Sequence, residues 1–112
     1  MIAPEIRAQI EEELRRAEAA RAAGNEGRAR VCARRAAGAA LRSNVQRSGG
    51  VAKSSSAVDA LRAARESQGL TERAREAADR LLVKVGEDFN LPYPWDLIAE
   101  ARALIVELAE AE

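Results

Sequence analysis

The chain has no histidine and a single cysteine. The first absence removes imidazole general acid/base chemistry and histidine metal sites, and the second removes both an intrachain disulfide and a thiolate zinc cluster. Aromatics are almost missing: Phe89, Tyr93 and Trp95 occur once each, all in one short segment. No run approaches the roughly 18 apolar residues of a membrane span, and the acids in MIAPEIRAQIEEEL exclude a standard signal peptide. A cytoplasmic protein with no membrane association is the expectation. The glycines form neither GxGxxG nor GxxxxGK[ST], so no phosphate loop of either kind is encoded. No catalytic residue and no cofactor are expected, and the sequence predicts a protein that is not an enzyme.

What is present is alanine, arginine and glutamate. Acidic and basic residues balance at 18 each, so no global field draws the chain to nucleic acid or an anionic membrane. Their distribution is uneven. Up to Arg47 there are ten basic and six acidic residues; from Ser48 to Gly86, seven and five; from Glu87 onward, one and seven. The acidic end can neutralise the basic middle, within the chain or across a dimer. Sixteen Arg against two Lys, with so much Ala, is also the signature of a GC-rich genome, so the arginine preference alone does not argue for phosphate binding.

With 112 residues, the chain predicts one domain over 1-112. No strand-like alternation and no fixed repeat is visible, and the periodicity predicts an all-α fold: an antiparallel helical bundle of four main helices plus one short helix. Pro4 opens the first, with Ile2, Ile6, Ile10, Leu14, Ala17 and Ala20 along one face to about Ala23. Glu11 with Arg15 and Glu12 with Arg16 stand at favourable i, i+4 spacing. Gly24-Asn25-Glu26-Gly27 turns the chain into an antiparallel second helix ending near Arg47. A flexible linker is expected at about 48-55, where Ser48-Gly49-Gly50 leads into Ser54-Ser55-Ser56. Ser56 with Asp59 caps the short third helix; Thr71 caps a fourth carrying Ala74, Ala78, Leu81, Leu82 and Val85 to Gly86, with Glu76 and Arg80 paired on it. Leu97, Ile98, Ala101, Leu104, Ile105 and Leu108 form the strongest apolar stripe, in the last helix.

The second helix organises the rest. Arg28 to Arg47 holds six arginines and no acid. At 100° per residue, Ala29, Cys32, Ala33, Ala36 and Ala40 share a face small enough for other helices to approach closely. Arg28, Arg35 and Arg42 group on one side of it, Arg30 and Arg34 on the other. A core of small residues buries little area, which at about 25 cal/mol per Å² leaves a monomer marginal and predicts a homodimer.

Each chemical candidate has a plainer alternative. Cys32, beside arginines that would lower its pKa, reads as a buried thiol on an alanine face. The pairs Glu87/Asp88 and Asp96/Glu100 lack the spacing of a calcium loop, and no metal site is expected; Asp96 reads as helix N-terminal charge. The arginines Arg28, Arg30, Arg34, Arg35 and Arg42 are the possible phosphate-binding residues. The alternative is a solvated face paired with the acidic C-terminal segment or with a partner, favoured because no aromatic is interleaved to stack bases. Phe89, Tyr93 and Trp95 mark a possible interaction loop, or rings packed over the open end of the bundle.

The segment LRRAEAARAAGNEGRARVCARRAAGAALRSNV resembles the first helix hairpin of HEPN-domain proteins: Ala-rich helix, Gly-bounded turn, and a long second helix of small residues ending in Ala-Ala-Leu. The resemblance implies a bundle of four or five helices, commonly dimeric, of a kind found in RNA-cleaving toxins, nucleotide-binding partners and non-catalytic interaction proteins. That family's ribonuclease motif pairs Arg with a His four to six residues on, and without histidine no catalytic residue carries over. Gly24, Ala29 and Ala36 also resemble a tetratricopeptide hairpin, although one copy is not a solenoid. The expected function is protein-protein interaction or assembly as a homodimer, with RNA or nucleotide binding by the arginine-rich helix as the alternative.

Overall fold

A computed structural model describes residues 2–47, 56–82 and 95–110. Among them are five helices and no strand: α1 Pro4–Ala22, α2 Glu26–Arg47, α3 Ala57–Glu66, α4 Glu72–Leu81 and α5 Leu97–Glu110. The protein is an all-α helical bundle. Among the described residues no helix is long and apolar enough to cross a membrane. The linker expected at 48-55 and the continuation of α4 from Val83 to Gly86 lie outside the described residues.

Local chemistry sets the helix ends. Pro4 occupies the first turn of α1, where its missing N–H leaves nothing unsatisfied. At the other end Gly24 has φ +80°, Gly24 N–H donates to the Arg21 carbonyl and Asn25 N–H to that of Ala20. This pair of bonds closes α1 in a Schellman turn, which needs the left-handed conformation that glycine takes without strain. Asn25 then starts α2: its side-chain oxygen accepts from Arg28 N–H at 3.0 Å and its carbonyl from Ala29 N–H at 3.1 Å. One residue therefore finishes one helix and caps the next, and α2 begins at Glu26, two residues before the expected start. Ser56 Oγ accepts from Asp59 N–H, Thr71 Oγ1 from Ala74 N–H, and the Asp96 carboxylate from the N–H groups of Ile98 and Ala99.

Helix α2 touches each of the other four. Residues 36–41 are buried in succession, so the helix is enclosed on all sides there, as its alanines permit. Cys32 is fully buried among them. Against α2 pack Ile10, Leu14, Ala17 and Ala20 of α1, Leu61 and Ala64 of α3, Ala74, Ala77, Ala78 and Leu81 of α4, and Leu97, Ile98, Ala101, Leu104 and Leu108 of α5 in one core. At Gly38 the approach of α3 is close. A Cβ there would stand 2.8 Å from both Cα and Cβ of Ala57, so the first residue of α3 rests directly on the α2 backbone.

On the surface of α1, Glu12 pairs with Arg16 as expected, and also with Arg15. Arg15 had been assigned to Glu11 by the i, i+4 rule. The i, i+3 neighbour takes it instead, since both spacings place side chains on one face.

Candidate functional site

The seat of α3 on Gly38 shapes the surface around it. Gly38 lies one turn beyond Arg34 and Arg35 and one turn before Arg42, so the start of α3 is set down among these three arginines. Between them opens a cleft of 390 Å³ lined by Gln9 of α1, Val31, Arg34, Arg35 and Arg42 of α2, and Ser56, Ala57 and Val58 at the start of α3. None of these lining residues is acidic.

The arginines enter it differently. Arg34 is half-buried, and its Nε donates to the carbonyl of Leu81, the last residue of α4. That bond satisfies a carbonyl left open at the helix end and places a cation at the negative end of the α4 dipole. Arg42 folds toward the junction, with Nη1 3.3 Å from where a Gly38 Cβ would stand. Arg35 is exposed and contributes to the cleft lining. At the α3 end Ser56 caps the helix, and a helix start presents first-turn N–H groups and about half a positive charge.

The sequence candidates thus divide. Arg34, Arg35 and Arg42 come together; Arg28 is exposed outside the cleft and Arg30 is half-buried away from it. Arg34, grouped with Arg30 by the helical wheel, lines the cleft beside Arg35 and Arg42. Gln9 and residues 56–58 were not identified from sequence, because the cleft is assembled from three helices. Phe89 and Tyr93 lie outside the described residues. Trp95 is half-buried against the core, with the Arg80 guanidinium 5.3 Å above its ring in a cation–π contact.

The acids of α5 go elsewhere. Asp96 pairs with Arg21 of α1 at 2.9 Å, and Arg21 also holds Glu26 at 2.6 Å. Glu100, only 6% exposed, takes Arg73 at 2.9 Å and Arg80 at 2.8 Å, both from α4. Glu107 accepts from the Thr71 hydroxyl. Burial is the largest single influence on the Glu100 carboxyl and pushes it up. The hydrogen bonds and charges of Arg73 and Arg80 together outweigh it and hold the group below its ordinary 4.5. Asp96 follows the same logic: desolvation raises it, and Arg21 with the N–H groups of Ala99 and Ile98 brings it below 3.8. The Arg21 guanidinium is driven the other way, its affinity for the proton raised chiefly by the Glu26 hydrogen bond. Asp96 and Glu100, one candidate carboxylate pair, are held by different helices. No three acidic or thiol side chains gather to hold a metal among the described residues.

Comparison with protein-family models, curated proteins and solved structures finds no match to this chain, so the cleft is read from its own geometry.

Proposed function

We propose that the chain is a non-catalytic helical module that binds a phosphate-bearing ligand, RNA or a nucleotide, in the cleft between α2 and the start of α3. The observation that carries this reading is the convergence of Arg34, Arg35 and Arg42 on a concave surface whose lining, among the described residues, includes no carboxylate. Guanidinium forks match phosphate oxygens in geometry and stay charged at any physiological pH. Of the acids expected to cover the arginine helix, Asp96 and Glu100 are engaged instead by α1 and α4, which supplies the second support. The reading reverses the order suggested by composition, and the HEPN-like assignment of the first hairpin and a cytoplasmic location belong to the same proposal.

The test is fluorescence anisotropy of a labelled mixed-sequence RNA at low and near-physiological salt. Binding should weaken steeply with salt, and the double variant Arg34→Glu, Arg35→Glu should abolish it with the helical signal intact. No binding even at low salt would sink the proposal.

Protein interaction through a homodimer is the second reading. Its support is the exposure of Val31 and Val45, each 40% accessible, on the same outer face of α2. A dimer predicts a melting temperature that falls on dilution; a melt constant over a hundredfold range would discard it.

A further inference from the structure

We infer that the ligand is a single strand of nucleic acid lying along the first half of α2, with Arg28 as a second phosphate contact outside the cleft. This deepens the phosphate-binding reading and rests on it.

The placement of Arg28 is the first argument. Arg28 and Arg35 are seven residues apart on α2, so they stand about 20° apart around the axis and about 10.5 Å apart along it. Both are exposed, and neither side chain makes an ion pair among the described residues. The nearest acid in sequence, Glu26, is held by Arg21 at 2.6 Å. From Arg28 to Arg47 the sequence itself supplies no carboxylate. Two like charges on one exposed edge are best served by an anion that reaches both.

Direction is the second. Ala57 covers α2 at Gly38, where an added Cβ would stand 2.8 Å from it, so beyond Arg35 the helix face meets the start of α3. Toward the α1–α2 turn, Val31 is 40% accessible and Arg28 is exposed. A ligand held at Arg35 therefore extends along α2 toward Arg28.

The third argument is how charge is distributed in the ligand. A mononucleotide carries its charge at one end and can engage Arg35 while leaving Arg28, two turns away, in water. A strand carries a charge at every phosphodiester, and neutralising a second one releases a further counterion. Val31 stands between the two arginines and offers an aliphatic surface to the sugar that joins one phosphate to the next. Contacts of this kind fix the strand on the protein and read no sequence.

The experiment measures fluorescence anisotropy of labelled oligouridylates of two, four and eight nucleotides on the full chain, with an eight-residue deoxythymidylate beside them, at several salt concentrations. Affinity should rise at least tenfold from the dinucleotide to the octamer. Arg28→Gln should remove most of that gain and make the octamer's logarithmic salt slope shallower by about one, with the dinucleotide unaffected. Arg35→Gln should weaken both. A deoxy octamer that binds as tightly makes the phosphodiester chain alone the determinant; one that binds less tightly brings in the 2′-hydroxyl, and either supports the inference. Equal affinity for dinucleotide and octamer, or an octamer indifferent to Arg28→Gln, overturns it while leaving general phosphate binding standing. Failure of every oligonucleotide to bind at low salt overturns both.

Discussion

Two parts of this molecule use the same side chain to opposite ends. Between α4 and α5, Arg73 and Arg80 close on Glu100 from two sides, Arg80 reaches Glu76 at 2.7 Å, and its guanidinium covers Trp95. Between α2 and α3, Arg34, Arg35 and Arg42 line a cleft to which no carboxylate of the described residues contributes. The difference lies in where the acid is. Glu100 faces the core side of α5, and a buried carboxylate must be paired or lose its charge. That requirement binds two arginines into the fold. Arg35, exposed beside the cleft, carries no such obligation, because water solvates it. Counting arginines therefore says nothing of their role, and burial of the opposite charge says much.

The comparison breaks most visibly at Glu100. Glu100→Ala leaves Arg73 and Arg80 with Glu76 as their remaining acid and should lower unfolding free energy by about 1–3 kcal/mol, below the usual cost of breaking a buried pair because both arginines stay partly exposed. Urea denaturation at neutral pH measures it, and a loss below about 0.5 kcal/mol would mean that the pair is ornamental. Acid gives the matching result. Glu100 and Asp96 are held below their ordinary values of 4.5 and 3.8, so their contribution is complete above those values and disappears as pH falls through the lowered ones. Stability should be level from neutrality down toward 4.5 and fall on further acidification, and Glu100→Gln should flatten part of that fall.

Gly38→Ala tests the other half. The added methyl meets the Ala57 backbone at 2.8 Å, and backbone cannot rotate away. Overpacking of this kind costs about 1–3 kcal/mol, and the better helix propensity of alanine returns about 1, leaving a net loss near 1 kcal/mol. More telling is the coupled effect: α3 must move off α2, so phosphate binding should weaken in the same protein. Unchanged urea midpoint and unchanged affinity together would show that α3 is not seated at Gly38.

Most of the fold could be read in advance where the signal was local. The stripe from Ile2 to Ala20, the Ser56 and Thr71 caps, the Gly24 turn, the Glu76–Arg80 pair and the alanine face that makes α2 central all depend on neighbours within a turn or two. Asp96 at the start of α5 was legible for the same reason. What escaped was long-range. Glu100 is 27 residues from Arg73 and 20 from Arg80, and Arg34 is 47 from Leu81. One hint was available: Glu100 interrupts the stripe of Leu97, Ala101, Leu104 and Leu108, and an acid on a buried stripe calls for a cation from another helix. The cleft left even less trace, because Gln9, Arg35 and Ser56 become neighbours only when three helices pack. Gly38 was the residue to ask about, since a glycine inside an alanine-rich helix costs stability unless something lies against it.

The smallest effect on stability should come from Arg35→Glu, and it is the sharpest test of the contrast. Arg35 is exposed and makes no ion pair among the described residues, so a surface substitution there should change unfolding free energy by no more than about 0.5 kcal/mol. The same change should abolish phosphate binding at near-physiological salt, and any residual low-salt binding should show a logarithmic salt slope shallower by about one counterion. Measuring urea midpoint and RNA anisotropy on one preparation separates the outcomes. A variant as stable as the parent that no longer binds fixes Arg35 as a ligand contact. One that loses stability as Glu100→Ala does would show that the cleft arginines are as structural as those around Glu100, and the distinction between the two regions would fall with it.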